Sequence, residues 1–137
     1  MALSLFQKIA LAIAGVTALL IGCFILTAPQ AFYASYGIAL PTDPSLLSEL
    51  RAPGAGLAAL GAIMLAGLVR AAWSEISLVA ALTVFLGFPA GRLVSLAVDG
   101  MPSGSVLGAL AIEIAIAALC LLAFRSGRAA PAAVATR

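Results

Sequence analysis

The feature that most restricts this sequence is a succession of apolar stretches, each long enough to cross a lipid bilayer as a helix. A hydrocarbon core of about 30 Å takes about 20 helical residues to cross. Of the 137 residues, 64% are hydrophobic and 9% are charged, which is far outside the range of soluble domains. The predicted fold class is therefore an all-α membrane protein, a bundle of four transmembrane helices.

Turn and cap residues divide the chain into one four-helix domain, residues 1–128, with helices at about 5–27, 44–69, 75–98 and 104–124. Asp43-Pro44 is typical of an N-cap followed by proline at the first helical position. Pro53 and Pro89 each remove a backbone hydrogen bond inside a helix, so helices two and three are expected to be kinked. Residues 129–137 are rich in alanine and are predicted to form a disordered cytoplasmic tail.

The first apolar run admits two interpretations. Lys8 before an apolar run is typical of a signal peptide, but the run is long for one and no convincing cleavage site follows. A retained transmembrane helix is therefore favoured. Small residues that recur every four positions predict a ridge for close helix packing on each of the first two helices. The ridges comprise Ala10, Ala14, Ala18 and Gly22 on helix one, and Gly54, Ala58, Ala62 and Ala66 on helix two.

Composition excludes several classes of function. The net charge is +2 and no basic patch is interleaved with aromatic residues, so nucleic acid is not an expected partner. Histidine is absent, which removes the usual general base, the commonest metal ligand and every catalytic pair that needs histidine. No cofactor and no metal site is predicted. Cys23 and Cys120 are expected near opposite ends of the bundle, too far apart for a disulfide.

The positive residues predict the orientation. A path of four helices places Lys8, Arg70 and the basic residues after helix four on one side. Loops rich in Lys and Arg face the cytoplasm in multi-pass proteins. We therefore expect a multi-pass protein of a bacterial inner membrane with both termini in the cytoplasm.

Arg92 and Glu113 interrupt the third and fourth apolar runs. A charge near the bilayer centre costs on the order of 2.5–3.5 kcal/mol on insertion scales, so such groups are expected to be paired, hydrated or functional. At about 1.5 Å per residue, both lie roughly 9–13 Å below the periplasmic helix ends. Similar depth on consecutive antiparallel helices predicts that they pair. The pair is interpreted equally well as part of a site or as a structural staple that fixes helix register.

Further polar and aromatic residues are expected in the same leaflet, and together they predict a buried cluster of Arg, Glu and Asp side chains. The predicted ligand-binding residues are Glu49, Arg51, Phe85, Phe88, Ser95 and Asp99. Glu49 and Arg51 lie about 200° apart around helix two, so they are not expected to pair with each other. Simpler interpretations remain open, since Asp99 can begin an Asp-Gly turn and Arg51 can extend to lipid phosphates.

The segment 30–42 is expected to be a loop with three aromatic residues, Phe32, Tyr33 and Tyr36. Aromatic rings at headgroup level form an interfacial belt. The alternative is a lid over a cavity, and the two interpretations are compatible.

Several short motifs are spread along the chain. They are Ser48-Glu49-Leu50-Arg51-Ala52 with Gly54 and Gly56, then Gly91-Arg92-Leu93-Val94-Ser95, Asp99-Gly100 and Glu113. In combination they resemble a small family of bacterial inner-membrane proteins that is catalogued as a domain of unknown function, four-helical and loosely similar to DoxX-like proteins. The resemblance covers nearly the whole span from helix one to helix four. It implies that the five charged residues in these motifs are the positions to test, and it implies no activity, cofactor or catalytic residue. The DoxX likeness suggests a link to quinones or respiratory assemblies by fold-level analogy.

Two functions from different classes fit these features. In the first, the cluster binds the polar end of a membrane lipid or of a lipophilic small molecule such as an isoprenoid or quinone. Whether the protein also isomerises or hydrates that molecule stays open, with Glu113 the candidate acid–base group and Arg92 its catalytic partner. In the second, the protein is a non-catalytic accessory or assembly subunit of a larger membrane complex, and a homo-oligomer is open as well. Gly104 and Gly108 provide a second helix-packing face for either assembly.

Two further interpretations are less favoured. A proton or ion conduit is less favoured because no carboxylate is evident in the inner half of the apolar core, where a relay would need one. A divalent metal bound by the acidic residues of the periplasmic half fits no known loop spacing, and the two arginines there would repel it.

Overall fold

A computed structural model describes residues 3–125 of the protein. Its helices are α1 (Leu5–Thr27), α2 (Pro29–Ala34), α3 (Pro44–Val69), α4 (Ser74–Val98) and α5 (Gly104–Arg125), with a 3₁₀ turn at Ala71–Trp73. Among the described residues there is no strand, and four helices (α1, α3, α4 and α5) are long and apolar enough to cross a membrane. This confirms the all-α fold class with four transmembrane helices, and the helix ends fall within one residue of those expected. The predicted tail, residues 129–137, lies outside the described residues.

Local sequence accounts for where α3 begins. Asp43 caps the helix, because its Oδ1 accepts a hydrogen bond from the backbone N–H of Leu46 at 2.8 Å, and Pro44 follows at the first helical position. Pro53 and Pro89 lie inside α3 and α4, which both remain helical through them. The kinks expected at these prolines stay a prediction.

The antiparallel helices α1 and α3 share the most extensive helix–helix contact of the bundle. A Cβ on Gly22 would lie against the backbone nitrogen of Ala58, and a Cβ on Gly61 would lie against the backbone nitrogen of Leu19. Only glycine allows two helix backbones to approach this closely. The packing of α1 on α3 therefore depends on residues that have no side chain.

The small-residue ridge predicted on α1 is confirmed, since its four members are all buried. The ridge predicted on α3 is confirmed in part, since Gly54 is buried and Ala58 lies against Gly22 of α1, whereas Ala62 is exposed. The buried residues of α3 are Gly54, Leu57, Gly61, Met64 and Gly67. Each step of four residues advances about 40° around a helix, so a strict repeat of four drifts off a single contact face. Helix α1 tolerates the drift because it contacts α3, α4 and α5.

The apolar core fills one half of the bundle, where α1 and α4 begin and α3 and α5 end. Helix α5 has its buried residues in its second half, where Cys120 lies with its sulfur 3.9 Å from the carbonyl oxygen of Ala10. Both cysteines are free, with Cys23 exposed towards the other end of α1. In the half of the bundle away from this core, the late part of α4 and the early part of α5 are mostly not buried. That is where the candidate site lies.

Candidate functional site

Arg92 on α4 and Glu113 on α5 form an ion pair held by two parallel hydrogen bonds. The Nε of Arg92 donates to Oε2 of Glu113 at 2.9 Å, and Nη2 donates to Oε1 at 3.0 Å. The two side chains keep 28% and 14% of their surface exposed. This two-bond arrangement fits the planar guanidinium to both carboxylate oxygens, which strengthens the pair and fixes its orientation.

The ion pair lines a pocket of about 720 Å³, which we call the ion-pair pocket. Its volume lies within the range of about 300–1,000 Å³ that is typical of small-molecule sites. Its walls are mainly apolar and come from α1, α4, α5 and the segment after α1, with Leu57 from α3 and Pro102 from the turn before α5. The lining residues are Thr17, Ala18, Ile21, Ile25, Phe32, Tyr33, Tyr36, Ile38, Leu57, Val84, Phe85, Gly87, Phe88, Gly91, Arg92, Ser95, Pro102, Val106, Ala109, Ile112 and Glu113.

The aromatic segment after α1 covers part of this pocket. Its first residues form the short helix α2, where the sequence predicted a loop. The ring centroid of Phe32 lies 5.2 Å from those of both Tyr33 and Tyr36. The hydroxyl of Ser103, just before α5, donates to the carbonyl oxygen of Tyr36 at 3.3 Å. The aromatic segment is thus attached to the turn between α4 and α5, a placement that favours the lid interpretation.

Three residues predicted on the face of α4 also line the ion-pair pocket. Phe85 is buried, with 3% of its surface exposed, whereas Phe88 keeps 43% exposed. Ser95 lines the pocket and donates its hydroxyl hydrogen bond to Oδ2 of Asp99 at 2.8 Å.

Asp99 does not line the pocket. It is exposed at the C-cap of α4, and Gly100 follows with φ at +95°, a backbone conformation that favours glycine. Asp99 therefore belongs to the Asp-Gly turn that ends α4, which was the simpler interpretation of this residue.

The two candidates on α3 also lie outside the pocket. Arg51 donates from Nη1 to the carbonyl oxygen of Leu26 and, at 3.4 Å, to that of Thr27. These are carbonyls at the end of α1, which have no helical partner of their own. Glu49 is exposed, and within residues 3–125 its side chain takes part in no hydrogen bond or ion pair.

The predicted cluster of Arg, Glu and Asp side chains is therefore wrong. Arg92 and Glu113 form an ion pair. Asp99 lies at the end of α4, Arg51 caps the end of α1, and Glu49 is exposed. Helical periodicity indicates a shared face along one helix, but it leaves the rotation of each helix against its neighbours undetermined. Between residues 3 and 125, no group of three or more His, Cys, Asp or Glu residues is placed to hold a metal ion.

Tyr33 and Tyr36 were not among the predicted ligand-binding residues, yet both line the ion-pair pocket. Burial raises the pKa of the Tyr33 phenol, while the positive charge of Arg92 acts in the opposite direction and Tyr36 adds to the increase. The phenol therefore stays protonated at neutral pH and remains a hydrogen-bond donor. The signal in the sequence was the grouping of three aromatic residues directly after α1, which was interpreted as a belt or a lid.

The fold and the site together define a class of protein: a small helical membrane protein with an ion pair that lines an apolar pocket at one end of its bundle. The chain belongs to the family described as domain of unknown function DUF4345, whose family model matches residues 6–124. No curated protein and no solved structure matches the sequence.

Proposed function

We propose that this protein binds a lipophilic molecule in the ion-pair pocket, with the polar end of that molecule at Arg92 and Glu113 and its tail along the apolar walls. The observation that carries the proposal is a charged pair that lines an otherwise mainly apolar pocket of about 720 Å³. Pockets of this composition, with a few polar groups in apolar walls, are typical of small-molecule sites. A pair that served only to join two helices would need no pocket beside it.

The proposed location is the bacterial inner membrane, with both termini in the cytoplasm. Lys8, Arg70 and Arg125 lie at one end of the helices, and the ion-pair pocket lies towards the other. Positive residues favour the cytoplasmic side. With this orientation the pocket opens in the periplasmic leaflet, where a lipophilic molecule can enter from the bilayer.

Binding is proposed rather than catalysis. Acid–base chemistry at Glu113 requires its carboxylate to exchange a proton with the bound molecule. Both oxygens of Glu113 accept hydrogen bonds from Arg92, so the carboxylate is already engaged by a charged partner. The pair is better arranged to orient a polar group than to act as a general acid.

The test fills the pocket without removing the ion pair. Gly91 lines the pocket, and a Cβ added there meets nothing within 4 Å, so Gly91→Leu places a side chain in the space without a clash at the backbone. Gly56→Leu is the matched control, since Gly56 on α3 is equally open but lies outside the pocket. Native mass spectrometry of protein purified in mild detergent is expected to show a bound lipophilic molecule that Gly91→Leu loses and Gly56→Leu keeps. Equal retention by both variants contradicts the proposal. So does the finding that neither the wild type nor either variant retains a lipid, whether co-purified or added.

A second candidate function is that of an accessory or assembly subunit, in which the partner covers α5. Gly104 and Gly108 are exposed, and a Cβ on either meets nothing within 4 Å. In contrast, a Cβ on a glycine between α1 and α3 would meet atoms of the facing helix. The test is Gly108→Leu on protein solubilised from native membranes, with the particle mass as readout. A loss of mass equal to one subunit or more supports this function, and an unchanged monomer mass in wild type and variant contradicts it.

A further inference from the structure

The ion-pair pocket contains several hydrogen-bond donors that have no partner within residues 3–125. Arg92 uses Nε and one hydrogen of Nη2 for Glu113. Its Nη1 has no partner within residues 3–125. A guanidinium has five N–H donors and no acceptor, so three donors of Arg92 remain to be satisfied by something in the pocket.

Two phenol hydroxyls line the same pocket. The hydroxyl groups of Tyr33 and Tyr36 take part in no hydrogen bond within the described chain. Every fully buried side-chain nitrogen or oxygen in that part of the chain does have a partner. The free donor atoms are therefore not sealed inside the protein, and the residues that carry them line the pocket.

The charge of the pocket distinguishes between types of polar head. Arg92 and Glu113 together carry no net charge, and the remaining walls are mainly apolar. An anionic head would lose its hydration on entering such a site and would find no uncompensated positive charge, so its transfer is costly. A neutral oxygen with free lone pairs loses less hydration and satisfies the unpartnered N–H and O–H groups.

We infer that the occupant of the ion-pair pocket carries an uncharged oxygen acceptor, such as a ketone, ester or quinone carbonyl, and not a phosphate or carboxylate. This inference rests on the proposed function and specifies its ligand class. Arg92, through Nη1, and the hydroxyls of Tyr33 and Tyr36 donate to that oxygen. Glu113 neutralises the guanidinium and holds it in place. Gly87 and Gly91, where no side chain intervenes, allow the head group to approach the backbone of α4 beside Arg92.

The experiment compares three probes that share one tail: methyl palmitate, palmitate and hexadecane. Each is added at pH 8 and the same concentration to the full-length protein in the same detergent, and retention is measured by native mass spectrometry. Wild type is expected to retain the ester about tenfold better than the hydrocarbon, as two or more hydrogen bonds allow, and better than the anion. Tyr33→Phe, which keeps the ring and removes only the hydroxyl, is expected to reduce the preference for the ester severalfold.

Glu113→Gln tests the charge argument. It leaves Arg92 uncompensated, so palmitate is expected to become the best retained of the three probes. The matched control is Glu75→Gln, an exposed glutamate in the first turn of α4 outside the pocket, which is expected to keep the wild-type order. If wild type retains palmitate better than the ester, or retains all three probes equally, the inferred ligand class is wrong while pocket binding stands. Retention of none of the probes overturns both, and Tyr33→Phe decides the inference if Glu113→Gln does not fold.

Discussion

Two arginines in apolar sequence have different roles in this protein. Arg51 donates to carbonyl oxygens at the end of α1, and Arg92 donates to a carboxylate beside a pocket. A cation beside the C-terminal carbonyls of a helix is favourable both as a donor and against the helix dipole. The same residue type in similar sequence surroundings therefore serves helix capping in one case and the candidate site in the other.

Arg51→Gln is expected to lower stability without affecting ligand retention. The variant leaves the carbonyls of Leu26 and Thr27 without their charged donor, which costs about 1 kcal/mol, or a few degrees in the midpoint of thermal unfolding. Arg70→Gln is the control, because Arg70 is exposed at the end of α3 and its side chain makes no hydrogen bond within residues 3–125. Loss of the bound molecule at unchanged stability would return Arg51 to the ligand-binding residues.

A double-mutant cycle measures the coupling of the ion pair. Arg92→Leu and Glu113→Leu each leave a partly buried charge without its partner, so each is expected to cost on the order of 2 kcal/mol of unfolding free energy. The double variant removes both charges and is expected to cost less than the sum by at least about 1 kcal/mol. The measurement is denaturant unfolding in mixed micelles. Additive effects would mean that the pair is not energetically coupled.

At the scale of helices, stability depends on the contact between α1 and α3. Gly61→Ala is expected to be strongly destabilising, because its Cβ would press on the backbone nitrogen of Leu19 and the two helices must separate. Gly56→Ala, on the same helix but with no atom within 4 Å of its Cβ, is expected to be neutral or stabilising by up to about 1 kcal/mol, since alanine is the better helix former. Thermal unfolding of the two variants in detergent compares them. Equal midpoints would exclude close backbone packing at Gly61.

The helices could be predicted from the sequence because their signals are local. Long apolar runs, the Asp43-Pro44 cap and the Asp99-Gly100 turn each determine one boundary without reference to the rest of the chain. The contact face of α3 could not be predicted in the same way, because burial at Ala62 depends on how α3 is rotated against α1. A repeat of small residues indicates a packing surface but does not specify which part of it a neighbour covers.

In the candidate site, too, local features could be predicted and features that depend on helix packing could not. Arg92 and Glu113 could be predicted to meet because depth along two antiparallel helices is set by residue count. Asp99 is the C-cap of α4 and Arg51 donates to carbonyl oxygens at the end of α1. Only the three-dimensional arrangement shows that both lie outside the pocket. Tyr33 and Tyr36 line the pocket because α2 and the residues after it lie over it. In the sequence, only the grouping of aromatic residues indicates this placement.

At the scale of the whole molecule, the bundle divides into a packed half and a half that contains the ion-pair pocket. The packed half includes the start of α1 and the end of α5, marked by Lys8 and Arg125, and the pocket lies towards the loops 35–43 and 99–103. If the positive residues set the orientation, these loops face the periplasm and the 3₁₀ turn before α4 faces the cytoplasm. The packed half and the half with the ion-pair pocket then lie in different leaflets.

Thiol labelling tests this orientation. In a background with Cys23→Ala and Cys120→Ala, single cysteines are introduced by Pro41→Cys and Met101→Cys in the two loops, and by Glu75→Cys at the other end; all three positions are exposed. A membrane-impermeant maleimide is expected to label the two loop variants in intact spheroplasts, and Glu75→Cys after permeabilisation alone. The cysteine-free parent controls for background labelling. The reverse pattern would place the ion-pair pocket in the cytoplasmic leaflet, and labelling of all three variants in intact spheroplasts would contradict a multi-pass arrangement.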